Sequence, residues 1–269
     1  MNTPPNGSMT QDEFLRYIDQ NSPNDFVLLD VRQPGEYEEL HLPGAFLIPL
    51  PDLADSLDDM DRSKPVIVYC RTGGRSRAAA SIMAGQGFLQ AVSLQGGIAG
   101  YQGEPAIGPV TQGMTLLPQN ATLEQALQLA VIFETNLERF YQELANAETG
   151  PIRKIFLQLA AFEEGHVRVL EKLIGKIPLE CKREEAVVEI AADILEGGLK
   201  VEELFQDNFQ SPQEVLEGAM SLEAQALDLY MRYRFRTETE TVRQVCAELA
   251  RQEQEHLKIL AQWLESIIQ

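Results

Sequence analysis

The sequence predicts a multidomain chain: an α/β unit built on a parallel sheet, then an all-α four-helix bundle. Three observations carry that expectation. Short apolar runs alternate with helical stretches from about residue 10 to 103. From 104 to 121 the chain turns to Pro, Gly, Gln and Thr without periodicity, as linkers do. Beyond Thr122 everything reads as helix, with apolar residues recurring at alternating steps of three and four. The domains are therefore set at 1–103 and 122–269, with 104–121 as the linker. A chain of 269 residues gives each half enough material to bury its own core.

In the first half, Thr10 followed by Glu13 forms a capping-box signature that opens a short helix. Phe26 to Val31, Pro65 to Cys70 and Ala91 to Leu94 read as buried strands. The alanine-rich run Arg75 to Gly85 reads as a helix leaving the second of them. Strands alternating with helices imply a parallel sheet.

The second half holds four apolar seams, each interrupted by ionisable residues. The first is Leu123, Leu127, Ala130, Glu134, Leu137, Tyr141, Leu144, and the second Ile152, Phe156, Leu159, Glu163, His166, Leu170, Leu173. The third, looser, is Leu216, Ala219, Glu223, Ala226, Tyr230, Tyr233. The fourth is Val242, Cys246, Leu249, Glu253, His256, Leu260, Trp263, Ile267. An internal repeat underlies them: a lone Glu on one helix, then Glu-x-x-His on the next, 29 residues on in one copy and 30 in the other. Tyr141 and Tyr230 each follow the lone Glu by seven residues. Gly150-Pro151 marks the turn of the first hairpin and Thr237 lies near that of the second. Ser211-Pro212 with Glu214 starts the third long helix. Between the hairpins, Ile177 to Ser211 forms a long crossover with a helical segment around Glu184 to Leu195. Two hairpins joined by one crossover give a known bundle topology.

A carboxylate buried without a partner costs several kcal/mol, and four point inward here with two imidazoles. A single Glu-x-x-His is ordinarily a solvated helix face. Two copies inside apolar seams, each paired with an inward Glu, require a cation. Glu134, Glu163, His166, Glu223, Glu253 and His256 supply the carboxylate–imidazole set of a dinuclear site. Such ligands suit iron or manganese, with zinc as a competitor. Cys246 lies two turns before Glu253, roughly 10 Å along the axis, too far to be a ligand.

This half resembles the ferritin-like superfamily and is most similar to rubrerythrins. The matching segments are Glu134-x6-Tyr141, Glu163-x-x-His166, Glu223-x6-Tyr230 and Glu253-x-x-His256, over nearly all of residues 122–269. The resemblance implies a ferritin-like bundle holding two iron ions. It implies that Glu163 and Glu253 bridge them, that Glu134 and Glu223 are terminal, and that each metal takes one His. Tyr141 and Tyr230 would donate hydrogen bonds to ligand carboxylates. The sequence departs from rubrerythrins twice. Ala226 stands where a further carboxylate is usual, and no four-cysteine rubredoxin centre exists.

A second signal is Cys70-Arg71-Thr72-Gly73-Gly74-Arg75-Ser76, at the end of a strand and the start of a helix. Glycines let backbone N–H groups form a cradle, and the helix adds its positive end. With arginines at 71, 75 and 77, the thiolate is favoured and Cys70 is expected to be a nucleophile. Residues 10–103 resemble the rhodanese family through this loop. Asp30-Val31-Arg32, Glu36-Tyr37, His41-Leu42-Pro43-Gly44-Ala45 and Gly96-Gly97 also match. Leu40 replaces a common Gly and Tyr101 a common Trp. The loop from Cys70 to Arg75 has the six-residue length associated with sulfurtransferases. The resemblance implies a persulfide on Cys70, stabilised by loop N–H groups and Arg75, and passed to an acceptor thiol. Asp30 and Arg32 are read as organising the strand end. His41 is left open between a structural and a functional duty.

The net charge of −19 argues against nucleic acid and anionic membranes as partners. Three cysteines without Cys-x-x-Cys suit reduced thiols in the cytoplasm. Neither a signal peptide nor a membrane span is read. The leading expectation is a sulfurtransferase fused to a diiron redox module. Its partners would be thiosulfate or a persulfide as donor, a thiol acceptor, an external electron donor and a second copy of the chain. The alternative is an iron-binding or iron-sensing protein whose rhodanese part carries persulfide or docks a partner.

Overall fold

The computed structural model describes residues 7–58, 60–174, 194–195, 199–200 and 209–268, which divide into two compact units between Val110 and Thr111. Cys181 and residues 184–193 of the expected crossover helix lie outside them, as does the side chain of Leu173.

The first unit is a five-stranded parallel sheet in the order β1-β5-β4-β2-β3. Its strands are Ser8–Met9, Val27–Asp30, Phe46–Leu47, Val66–Tyr69 and Ala91–Leu94, numbered β1 to β5. The three interior strands are the three that the sequence predicts. Those of β2 and β4, Val-Leu-Leu-Asp and Val-Ile-Val-Tyr, are buried throughout, as a sheet covered on both faces requires. Helices α1 (Gln11–Gln20), α2 (Pro34–Glu39), α3 (Leu53–Ser56) and α4 (Gly74–Gly85) complete the unit. Thr10 and Glu13 form the expected capping box on α1.

After β2 the chain steps outward to β3, and then returns to place β4 on the other side of β2. The ends of β2 and β4 therefore flank a topological switch point, where open α/β sheets expose their ligand crevices. Cys70 follows β4 directly, and Asp30 closes β2.

The second unit is built on four long helices: α5 (Leu123–Ala147), α6 (Gly150–Ile174), α7 (Pro212–Arg236) and α8 (Glu240–Ile268). At 1.5 Å per residue each spans close to 40 Å. Helix α5 packs on α6 and α7 on α8, and the two hairpins meet through α5 with α8 and α6 with α7. Thr122 and Gln125 cap α5 reciprocally. Ser211 caps α7, with Pro212 in its first turn. Of the crossover, Ile194–Leu195 (β6) pairs antiparallel with Leu199–Lys200 (β7). The end of the expected crossover helix is thus a strand. The Gly197-Gly198 dipeptide that follows in sequence favours a turn over helix.

The bundle core is split into two apolar clusters. One gathers Leu127, Ala130 and Phe133 with Ala226, Tyr230, Cys246 and Leu249. The other gathers Leu137, Tyr141, Phe156 and Leu159 with Leu216, Leu222 and Leu260. On every helix, the ionisable seam residues fall between the two.

The Pro/Gly-rich stretch 104–121 is shared between the units. In the first, Ala106 pairs with His41 and Gly108 N donates to Glu38 O at 2.8 Å. In the second, Leu116, Leu117 and Ala121 are buried in the bundle. There Arg232 donates to Gln112 O at 3.0 Å, Tyr233 to Gly113 O and Arg236 to Met114 O. Thr239 donates to Ala121 O at 3.2 Å.

Candidate functional site

Two sites emerge, one in each unit. At the first, the chain leaves β4 at Cys70 and turns through Gly73 at φ +101°, which starts α4. Gly73 N–H donates to Cys70 Sγ at 3.1 Å. Burial pushes the Cys70 thiol up, but N–H groups of Ser76, Gly73 and Thr72 and the Ser76 hydroxyl outweigh it, leaving the pKa lowered. Ser76 is itself held by Ser93, hydroxyl to hydroxyl at 2.8 Å, both buried. Thr72, in the loop, and Gly74, the first residue of α4, are exposed.

Arg75 interacts electrostatically with Cys70. It also pairs with Glu36 in a fork of 2.6 and 2.7 Å. Arg71 and Arg77 are exposed. Arg77 borders a small cleft of about 270 Å³ with Ser8, Thr72, Ser93, Gln95 and Gly96.

A second layer holds this loop. Ile98 N donates to Cys70 O at 2.9 Å and Ala99 N to Arg71 O at 3.0 Å, so the Gly96-Gly97 turn braces the cysteine from behind. Arg32 forks onto Asp30 (2.7–3.0 Å) and reaches Leu40 O at 2.7 Å, both ionic groups being buried. That is the organising duty expected of the pair. His41 is buried and stacked on Tyr37 at 3.7 Å, with Nδ1 2.9 Å from Tyr37 O. These contacts are those of a structural residue.

At the second site the six seam residues converge as two triads, Glu134–Glu163–His166 from the first hairpin and Glu223–Glu253–His256 from the second. Within each triad one donor atom per residue lies within 4.8 Å of the others. His166 Nδ1 sits 3.0 Å from Glu163 and 3.3 Å from Glu134. His256 Nδ1 sits 3.0 Å from Glu223 and 2.9 Å from Glu253. The two imidazoles stack at 4.1 Å, which joins the triads into one site. Phe162 meets both rings edge-on at 4.7 Å.

Desolvation raises the Glu134 carboxyl to about 8. His256 is raised to about 9: burial opposes its charge, and Glu223 with the other carboxylates overcomes it. Glu223 is lowered, the His256 hydrogen bond outweighing burial. Among the described residues, Glu134 Oε1 and Glu223 Oε1 are buried without a hydrogen-bond partner. Oxygen atoms aimed at nothing, among imidazole and carboxylate donors, fit a pair of cations. Tyr141 and Tyr230 are buried on the same seams, Tyr141 stacking on Phe156 at 6.3 Å. Cys246 is buried and its thiol is pushed up to about 12 by desolvation, in keeping with packing.

Sequence reasoning overlooked Glu36 as Arg75's partner, Ser93 behind Ser76, and Phe162 between the imidazoles. Only Phe162 carried a readable signal, being one turn from His166 on the same helix face.

Among the described residues, no helix is long and apolar enough to cross a membrane. The ferritin-like domain profile matches residues 122–265, and the rhodanese-like domain profile residues 10–104. The chain is 38% identical over 71 residues to thiosulfate sulfurtransferase GlpE of Pseudomonas syringae, covering 26% of this chain and 67% of that one. It is 41% identical over 80 residues to a tRNA sulfurtransferase of Desulfurococcus amylolyticus, covering 30% of this chain but spanning only 16% of the relative's length. A solved rhodanese-like domain protein from Staphylococcus aureus is 26% identical, with a TM-score of 0.34 over 38% of this chain and 97% of that one.

Proposed function

We propose, for a chain that belongs to the ferritin-like domain family and carries a rhodanese-like domain ahead of its bundle, two linked capacities. The rhodanese-like unit is a sulfurtransferase that forms a persulfide on Cys70 and passes sulfur to a thiol. The bundle is a dinuclear metal module, with iron the metal its donors fit first.

The observation that carries the first capacity is the cradle around Cys70 Sγ, closed by Gly73 N–H at 3.1 Å. The loop N–H groups and the N-terminus of α4 stabilise a thiolate before reaction and a persulfide anion after it. Sγ attacks the outer sulfur of the donor, forming the new S–S bond. The donor's own bond to that sulfur breaks, and its electron pair leaves with sulfite or a thiolate. An acceptor thiolate then takes the outer sulfur and returns Cys70 as thiolate. Ser76 and Ser93 hold the cradle's shape, and Arg75, forked onto Glu36, borders it.

In the bundle, Glu134, Glu163 and His166 would hold one ion, and Glu223, Glu253 and His256 the other. A bound redox metal would supply electron transfer to oxygen, peroxide or iron itself. The apolar clusters above and below shield the triads except at the His166 edge, and both imidazoles are fixed by stacking and by Phe162. Tyr141 and Tyr230 are proposed as carboxylate donors, on their burial in the seams that carry the ligands.

Single-turnover mass measurement tests the sulfur reading. Thiosulfate or a persulfide should add one sulfur to Cys70, and Cys70→Ala should abolish it. Elemental analysis of protein purified without chelator tests the metal reading, with about two irons per chain expected. Loss of metal on Glu163→Ala or Glu253→Ala supports it. Folded protein that takes up neither iron nor manganese refutes it.

A further inference from the structure

We infer that Glu36 selects the donor class at the thiol site: it neutralises Arg75, and so favours a persulfide donor over dianionic thiosulfate. The inference deepens the sulfurtransferase reading and rests on it.

The Arg75 guanidinium interacts electrostatically with Cys70, and an uncompensated cation there would draw in anions. It is not uncompensated. Both of its terminal nitrogens are taken by Glu36, at 2.6 and 2.7 Å, in the two-point geometry that makes such pairs strong. Arg75 and Glu36 are each about one-third exposed (35% and 32%), so the pair sits at the mouth of the site, where a donor arrives. Glu36 is also anchored independently of Arg75. Its Oε2 accepts the Gln33 N–H at 3.2 Å in the first turn of α2, where Pro34 fixes the start of the helix. The Arg75 contact first, and the Gln33 N–H after it, hold the Glu36 carboxyl down at about 2, so the negative charge persists at every working pH.

The electrostatic consequence follows by counting charges at the mouth. Glu36 cancels Arg75, and the Cys70 thiolate adds one negative charge. Thiosulfate brings two more, whereas a small alkyl persulfide brings at most one. Arg71 and Arg77 are exposed, Arg77 at the rim of the neighbouring cleft, so solvent and salt screen their attraction. What remains for the donor is the short-range N–H cradle, which grips a transferring sulfur atom irrespective of the charge behind it. With thiosulfate, Cys70 thiolate bonds to the outer sulfur as the S–SO₃ bond breaks and sulfite departs with the electron pair. With the alkyl persulfide, the same bond forms and an alkyl thiolate departs, taking up the persulfide's proton. Only the first leaving group must carry two charges away.

The test is single-turnover persulfidation of Cys70 in the full chain, read by intact mass, with thiosulfate and with 2-hydroxyethyl persulfide. Glu36→Gln keeps the shape and removes the charge. It should raise the second-order rate with thiosulfate about tenfold at low ionic strength, through a lower apparent Kd and an unchanged limiting rate. The persulfide rate should move by less than about twofold. Added salt should erase the gain, and Glu36→Asp, which keeps the charge, should behave as the parent does. An unchanged ratio between the two donors in Glu36→Gln overturns the inference. So does an equal loss with both donors in Glu36→Gln, which would make Glu36 a mere prop for the loop. A parent protein that takes sulfur onto Cys70 from neither donor overturns the sulfurtransferase reading itself.

Discussion

Gly97→Ala is the most exacting perturbation of the thiol site, because the residue lies behind the loop and touches no substrate. Gly97 has φ +55°, and a Cβ built there would lie 2.1 Å from Cys70 O and 2.7 Å from the Arg71 carbonyl carbon and oxygen. These neighbours are backbone, so no side-chain rotation relieves the clash. A carbon–oxygen contact relaxes near 3.3 Å, so the turn and the loop must part by about 1 Å. That separation breaks or stretches the Ile98→Cys70 and Ala99→Arg71 hydrogen bonds, now 2.9 and 3.0 Å. Two such bonds are worth about 2 kcal/mol together, and a left-handed alanine costs about 1 kcal/mol more. The unit holding Cys70 should therefore lose about 3 kcal/mol. The displaced sulfur should slow persulfide formation about 100-fold.

Alkylation of Cys70 across a urea series reads both effects. In native buffer it reports the thiolate's environment, and its onset in urea reports unfolding of that unit. Trp263, the chain's one tryptophan, lies in the bundle and supplies an internal control by fluorescence. A Gly97→Ala protein with unshifted urea onset and parental persulfidation would refute the brace.

Three further outcomes are expected. The lowered Cys70 pKa means that alkylation stays fast below the ordinary thiol range and fades only as pH falls through the folded value. Ser76→Ala should move that midpoint upward, and a pH–rate profile that does not move would remove the hydroxyl from the cradle. Arg32→Ala leaves the fully buried Asp30 carboxylate without its fork, so a loss of about 3–5 kcal/mol is expected in urea unfolding. A loss below about 1 kcal/mol would show that the pair organises nothing. Phe162→Ala frees both imidazole edges and should weaken metal retention under chelator competition without unfolding the helices, whereas unchanged retention would make Phe162 ordinary packing.

The interior strands, the capping box and the four long helices were legible because each rests on local pattern: β-branched runs, a Thr-x-x-Glu, or a seam of threes and fours. The edge strands Ser8–Met9 and Phe46–Leu47 were not, since two residues cannot show a period and their pairing is set by the sheet they join. The 104–121 stretch shows a similar limit. Composition registers Pro and Gly there, while its hydrogen bonds come from Arg232, Tyr233 and Thr239, more than a hundred residues away. At the two triads, buried carboxylates in an apolar seam announce themselves, because their desolvation demands a reason. At the thiol site, Cys70 and its glycines were readable, but the Glu36–Arg75 fork was not. It joins residues 39 apart through tertiary geometry alone.

The two triads are alike in sequence and unequal in the fold, and that inequality has a kinetic consequence. The His256 side chain is 5% exposed and its two carboxylates are buried, whereas the His166 side chain is 17% exposed. Water and a chelator therefore reach the first hairpin's triad through His166 with little rearrangement. Reaching the second requires local opening of α7 against α8, helices that pack closely along their length. An ion at the first triad should thus leave faster. Loaded protein challenged with excess chelator should lose its metal in two phases of equal amplitude. His166→Ala should remove the fast phase and leave the slow one, while His256→Ala should do the reverse. A single phase for both ions would mean that the triads release together. In that event the site would open as a unit, and the exposure of His166 would be no path for exchange.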